Sequence, residues 1–442
     1  MPGLMSSALT RRNLLRGAGG AALATGVGLP LAGCGGDGGS GGGGGQAGGT
    51  VTFVYYGDAE DQKAYDALFN RFREEHPEID LKFQGIAADS WADFANAVAT
   101  RLAGGQPVDV VQIATEGQRI FMSKDLLEPL DSYIAKDQAL VDAYYADTPE
   151  PIRRLLQQYA SQDGHTFYMP GGYNTMALYI NTDIWSSAGV EPPTDTWSWE
   201  EFRAAGEEIK AKTGAFLTAA GNGYFTDVMP WLLNNGTAPL SEDWGSSTLN
   251  TPEAVEALTF VRQLVVDGLA PEPGGTFDAP TQMAQGKLAS FGGGRWPTND
   301  LRRLDFIEPV QLVRWPENGS AGTPVGWDAF PILKMSKNKD AAWTLITYLM
   351  SEEFGDAVTT GGGATVPARI SDATGPAFLD DAPENTELLV ELLEVATPIP
   401  GPDRGPEMQM VIEEAWLQGV SGTKDPQTAL ADADSRLQGM FA

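Results

Sequence analysis

One cysteine, Cys34, is all the chain has, so an intramolecular disulfide and a zinc site built on several thiolates are both excluded. Two histidines in 442 residues leave little for imidazole catalysis or a histidine-rich metal centre. Basic residues are also scarce: 29 Lys and Arg face 59 Asp and Glu, a net charge of −30. That balance disfavours nucleic acid and anionic membrane surfaces as partners. It says little about a small ligand, which meets only local charge. No apolar run reaches the roughly 20 residues of a membrane-spanning helix. The mildly apolar stretch Gly17 to Pro30 is too short and too weak for one. No internal repeat is present.

What is there begins with an address. Arg11-Arg12 precede the Ala/Gly/Leu-rich run, in the manner of a twin-arginine export signal, with an ordinary secretory signal as the alternative. Leu31-Ala32-Gly33-Cys34 closes the segment and looks like a lipobox, in which Cys34 is acylated and becomes the mature N-terminus. Residues 1–33 are therefore read as a signal peptide and 34–49 as a lipidated, glycine-rich tether. A tether of that composition forms no core and spans about 20–25 Å.

Thr50 to Ala442 is long enough for two domains, and eleven tryptophans argue for folded cores. Val51–Tyr56 alternates as a strand. Asp61–Glu75 reads as a helix with Tyr65, Leu68, Phe69 and Phe72 on one face. Ile79, Leu81 and Phe83 alternate as a second strand, Trp91, Phe94, Val98 and Leu102 form a helical stripe, and Val108–Ile113 reads as a buried strand. The series β-α-β-α-β implies parallel strands with right-handed crossovers, and ligands in such sheets bind beyond the carboxyl ends of the strands. The loops Gly57–Glu60 and Ala114–Gln118 are thereby expected at a binding edge. Further on, Pro170-Gly171-Gly172 reads as a break between strands at His165–Met169 and Met176–Ile180. Helices are expected at Trp199–Lys212, capped by Ser198, at Thr251–Val266 and at Lys339–Met350. Phe291–Trp296 reads as a strand entering a glycine turn. That turn lacks the Lys-Ser/Thr of a phosphate loop.

In this order the segments resemble the family 1 extracellular solute-binding proteins, the substrate-binding subunits of ABC importers. The parts that carry the resemblance are Val51–Glu75, Asp109-Val110-Val111 with Leu126–Leu130, Gly164–Asn181 with Thr182, and Thr196–Glu201. Met283–Lys287, Gly293–Trp296 and Lys337–Met350 leading to Val366–Arg369 complete it. The resemblance implies an α/β, type II periplasmic-binding-protein-like fold of two lobes joined by three hinge crossings. Lobe 1 is expected over 50–170 and 327–366, lobe 2 over 171–326 and 367–442. The ligand is expected in the cleft between them, and a hinge is expected to close over it.

The expected ligand is a sugar, whose flat C–H faces suit aromatic rings and whose hydroxyl rim suits carboxylates, amides and Arg forks. Candidates are Tyr56, Asp58 and Glu60 after the first strand, and Thr115, Glu116 and Gln118 after the third. Tyr173 and Asn174 lie at the first crossing, with Tyr224 and Trp231 flanking a loop and helix start. Arg295 and Trp296 follow the glycine turn, Trp327 and Asp328 stand at the second crossing, and Arg369 at the third. Each has a structural alternative. Asp58 and Glu60 suit a helix cap, Tyr173 a filled hinge, Trp231 and Trp296 a core, and Arg295 and Asp328 an internal ion pair. Trp197 and Trp199 are read as structural, and Trp185, Trp343 and Trp416 as core. A receptor for a polyamine or glycerol phosphodiester is the alternative function. A glycoside-acting enzyme using Asp58 or Glu60 with Asp328 is disfavoured, because nothing fixes a general acid. No cofactor and no metal are expected. The expected partners are a sugar, the importer's membrane permease and the membrane itself through lipid on Cys34, with the protein an exported monomer on the outer face of the cytoplasmic membrane or in the periplasm.

Overall fold

The structure, a computed structural model, describes residues 48–57, 59–88, 90–274 and 277–441. The signal, Cys34, nearly all of the tether and Asp58 lie outside them, as does the side chain of Glu60. Among the described residues no helix is long and apolar enough to cross a membrane.

Three sheets organise the chain. The first has the order Ile79–Ile86, Gly49–Tyr56, Val110–Val111, Ile332–Leu333, Leu127–Glu128, and its first three strands are parallel, as the β-α-β-α-β pattern requires. The apolar residues Val51, Phe53 and Tyr55 of the strand Gly49–Tyr56 point to one face and join Phe69, Phe72, Trp343 and Ile346 in a core. The second sheet runs Phe216–Thr218, Leu288–Gly293, Ala177–Asn181, Val310–Val313. The helices Trp199–Thr213 and Pro252–Val266 begin at Ser198 and Thr251. Ser198 forms a reciprocal capping box with Glu201, which satisfies N–H groups that a helix start otherwise leaves open. Trp185, Trp343 and Trp416 are buried, and Trp197 and Trp199 donate their indole N–H groups to the carbonyls of Arg314 and Pro316.

The third sheet joins the two halves. Met169–Asn174 pairs antiparallel with Thr323–Phe330 on one side and with Val366–Pro367 on the other. The sequence reading placed a break at Pro170-Gly171-Gly172, but the strand runs straight through it. The register skips Gly171 between Gly172 and Pro170, a bulge that absorbs the extra residue. Glycine is needed there for room: a Cβ on Gly171 would lie 2.6 Å from Asp328 Oδ2 and 2.7 Å from the Phe330 ring.

Three further expectations are corrected. The helix expected over 61–75 is two helices, Ala59–Leu68 and Asn70–Glu75, bent at Phe69, where ψ is 0° and the ring is sunk among Phe53, Tyr65, Phe83 and Phe354. The strand expected over 108–113 divides at Gln112. Val110–Val111 stays in the first sheet, while Ile113–Ala114 pairs with Asp328 and Ala329 in the third. The loop expected over 114–118 is the start of a helix, Thr115–Ser123, because the backbone turns helical as soon as it leaves the third sheet.

Candidate functional site

The carboxyl ends of the first-sheet strands open into a cleft of about 1140 Å³. Its near wall carries Tyr56, the last residue of the strand Gly49–Tyr56, and Trp91, the first residue of the helix Trp91–Ala103. Ser90 caps that helix through the amide of Asp93, which fixes where Trp91 emerges. The two rings stack at 4.5 Å between centroids and 28° between planes, with Phe94 edge-on behind both. Tyr56 donates its hydroxyl hydrogen to the carbonyl of Ala88 at 2.9 Å. The wall is thus ordered before any ligand arrives, which lowers the cost of binding.

The floor is polar. Gln112, the residue between the two short strands, donates Nε2–H to Asp328 Oδ2 at 2.9 Å. Asp328 is only 4% exposed, and among the described residues its Oδ1 has no hydrogen-bond partner. Burial pushes its carboxyl up to about 6 from an ordinary 3.8, against the opposing effect of the Gln112 bond. Gly171, Phe330 and Tyr348 also line the cleft. The far side is formed by Asn299, from the helix Pro297–Arg303, which donates to the carbonyl of Gly362, and by the run Gly361 to Thr365.

Of the sequence-derived candidates, Tyr56 and Asp328 line this cleft. Several others serve the crossing sheet. Thr115 Oγ1 accepts from the Trp327 amide at 3.0 Å and donates to its carbonyl at 3.1 Å. Gln118 accepts the Trp327 indole N–H at 3.0 Å and donates to the carbonyl of Ile113 at 3.1 Å. Trp327 is therefore a buried strut between the helix Thr115–Ser123 and the strand Thr323–Phe330. Tyr173 stands where the crossing strands meet, opposite both Trp327 and Val366; it is buried, and its hydroxyl has no partner among the described residues. Asn174 donates to the carbonyl of Ala364 at 3.1 Å and accepts from the Arg295 amide at 2.9 Å, linking both sides of the crossing. Glu116 is half-buried near Tyr224, and burial of its carboxyl pushes it up to about 7.

Four candidates face the protein instead. Trp231 is enclosed by Trp199, Phe202, Phe260 and Trp315, with centroids 5.2–5.9 Å away, and is 3% exposed. Tyr224 is buried at the start of the turn leading to it. Arg295 places its guanidinium over the Phe378 ring at 4.4 Å, and burial pushes it down to about 10. Arg369 pairs with Asp147 at 3.0 Å and donates to the Met350 carbonyl. Aromatic and Arg residues are equally suited to cores and to ligands, and the neighbours that decide come from distant segments. Trp296 is half-buried, 6.2 Å from Phe225, at the position preceding the helix Pro297–Arg303 rather than on a free glycine turn.

Trp91 and Gln112 were missed. Both carried a signal: each follows a strand of the parallel series at its carboxyl end, where ligands bind. The sequence reading placed Trp91 in an apolar helical stripe and Gln112 inside the third strand, and took neither as a candidate.

Residues 56–355 match the bacterial extracellular solute-binding protein family. The chain belongs to this family. A binding protein of Brucella abortus is 25% identical over 387 residues, spanning 84% of this chain and 88% of that one. A lactose-binding protein of Rhizobium radiobacter is 23% identical over 325 residues, spanning 70% and 72%. The same fold occurs in an ABC substrate-binding protein of Listeria monocytogenes solved with cycloalternan, with a TM-score of 0.77 at 22% identity over 89% of this chain and 98% of that one. The family and these relatives are binding proteins, and this solute-binding chain has the two-lobed α/β fold of the solved structure it resembles.

Proposed function

We propose that this solute-binding protein captures a carbohydrate in the cleft and delivers it to the permease of an ABC importer. The observation that carries the reading is the pre-stacked Tyr56–Trp91 pair beside the polar floor of Gln112 and Asp328. A ring wall next to hydrogen-bonding groups matches a sugar's apolar faces and hydroxyl edge. The volume of about 1140 Å³ exceeds the roughly 300–1,000 Å³ of ordinary small-molecule pockets, which favours more than one sugar ring. Lobe 1 comprises 50–170 and 327–366 and lobe 2 comprises 171–326 and 367–442, with the third sheet as the hinge. The protein acts as a monomer without catalytic turnover. It is exported and held to the outer face of the membrane through lipid on Cys34.

The test is calorimetry of the purified chain against neutral mono- and oligosaccharides. Binding of an oligosaccharide that is recovered unchanged, and that weakens in Trp91→Ala, supports the reading. Tight binding of a ring-less solute with no sugar bound removes it.

A further inference from the structure

The cleft described above is not electrically neutral. Among its described lining residues Asp328, Glu352, Glu353 and Asp356 are acidic, and Arg71 is the one cation. Arg71 is already committed: its Nε lies 2.8 Å from Glu75 and 2.7 Å from Glu353. Glu352 and Glu353 have a local role as well, since they begin the helix Glu352–Thr360 and favour its positive end. Asp328 has no such role. It sits within a strand of the third sheet and lines the cleft, one carboxylate oxygen bonded by Gln112 and the other buried without a hydrogen-bond partner among the described residues. A buried, half-satisfied carboxylate is costly, and a fold that retains one at the floor of its ligand cleft gains when the ligand supplies the missing donor.

We propose that Asp328 makes the cleft selective for charge, so that the preferred ligand is a carbohydrate bearing a basic amino group and acidic sugars are rejected. This rests on the carbohydrate reading and adds the ligand's charge to it. A protonated amine offers a hydrogen bond and a full charge to Asp328 Oδ1, where a hydroxyl offers only the bond. An acidic sugar meets the same oxygen with like charge, and no unpaired cation among the described lining residues offsets it. Charge-assisted bonds of this kind change affinity by about ten- to a hundredfold.

The experiment is calorimetry and thermal shift on the full-length chain at pH 7.5 and fixed ionic strength. The ligands are the gluco, galacto and manno series, single rings and dimers, each as neutral sugar, 2-amino-2-deoxy sugar and uronate. In the series that binds, the amino sugar is expected to bind at least tenfold tighter than the neutral one, and the uronate not measurably. Asp328→Asn keeps the side-chain shape and is expected to bring amino and neutral sugars to equal affinity. A neutral sugar that binds wild type as tightly as its amino counterpart, or a uronate that binds as well, overturns the proposal while leaving the carbohydrate reading in place. Unchanged amino-sugar preference in Asp328→Asn overturns the role of that residue. Binding of spermidine with no sugar of any series bound overturns both, as does the absence of any response.

Discussion

Gln112 and Asp328, 216 positions apart, meet through a 2.9 Å hydrogen bond at the junction of two sheets. Gln112 occupies the single residue between a strand of the first sheet and a strand of the third, and its own amide bonds the carbonyl of Val54. Asp328 pairs in register with Ala114 and Gly172. The floor of the cleft is thereby tied to the first-sheet strands on one side and to the third sheet on the other.

Asp328→Asn should stabilise the empty protein at neutral pH. The native carboxyl is held near 6 against an ordinary 3.8, so the folded state carries the cost of an ionised buried acid above pH 6. In wild type that cost is relieved as pH falls from about 6 to about 4, where only the native state takes up the proton. The substitution removes it throughout, for a gain on the order of 2–3 kcal/mol at pH 7.5 that vanishes near pH 4. Urea unfolding of both proteins at the two pH values checks this; a variant less stable at pH 7.5 contradicts the half-satisfied state of Asp328.

Gly171→Ala should cost about 1–3 kcal/mol, the usual penalty for overpacking. Its new methyl would meet Asp328 Oδ2 and the Phe330 ring at 2.6–2.7 Å, at a bulge between two paired strands. Gly439, in the helix Pro426–Phe441, has nothing within 4 Å of an added Cβ. Gly439→Ala should therefore stabilise by up to about 1 kcal/mol through helix propensity alone. Equal effects of the two substitutions in chemical denaturation would show that space at the bulge is not what Gly171 provides.

The pattern of strands and helices was legible because it rests on local periodicity: the parallel series at the N-terminus, the Ser198 and Thr251 caps and the inward Trp343 all follow from neighbours in sequence. The third sheet was not legible as a sheet. Its strands come from around residues 113, 170, 326, 366 and 397, and one contains a proline and two glycines that read locally as a break. The site was legible only in outline. Tyr56 and Asp328 were reached from topology, but whether Trp231 or Arg369 meets ligand or protein depends on partners such as Trp315 and Asp147, which no local pattern supplies.

Arg369 illustrates the point and is open to test. Its guanidinium bonds Asp147, whose carboxylate also accepts from the amide and hydroxyl of Ser371. Burial raises the Asp147 pKa, but Ser371 and Arg369 together outweigh it and hold the carboxyl below 3.8. The lowered value means that this cluster stabilises the fold above about pH 4 and loses its effect as pH falls below. Arg369→Ala should destabilise by about 1–3 kcal/mol at pH 7 and by less near pH 3, with sugar affinity unchanged. Weakened binding at unaltered stability would return Arg369 to the ligand.

Trp91 and Trp231 should separate binding from folding. Both are aromatic and both follow a turn into a helix, but Trp91 lines the cleft while Trp231 is closed in by four aromatic rings. Trp231→Ala removes a buried ring packed against those four neighbours, and a loss of about 3–5 kcal/mol of stability is expected. Trp91→Ala leaves Tyr56 anchored through Ala88 and opens one side of the ring wall to solvent. It should weaken carbohydrate binding by about 1.5–3 kcal/mol, some ten- to a hundredfold, at a smaller cost in stability. Melting curves and calorimetry on the same preparations read both quantities. If Trp91→Ala unfolds the protein as severely as Trp231→Ala and binds sugar normally once folded, the stacked pair is core and the ligand lies elsewhere in the cleft.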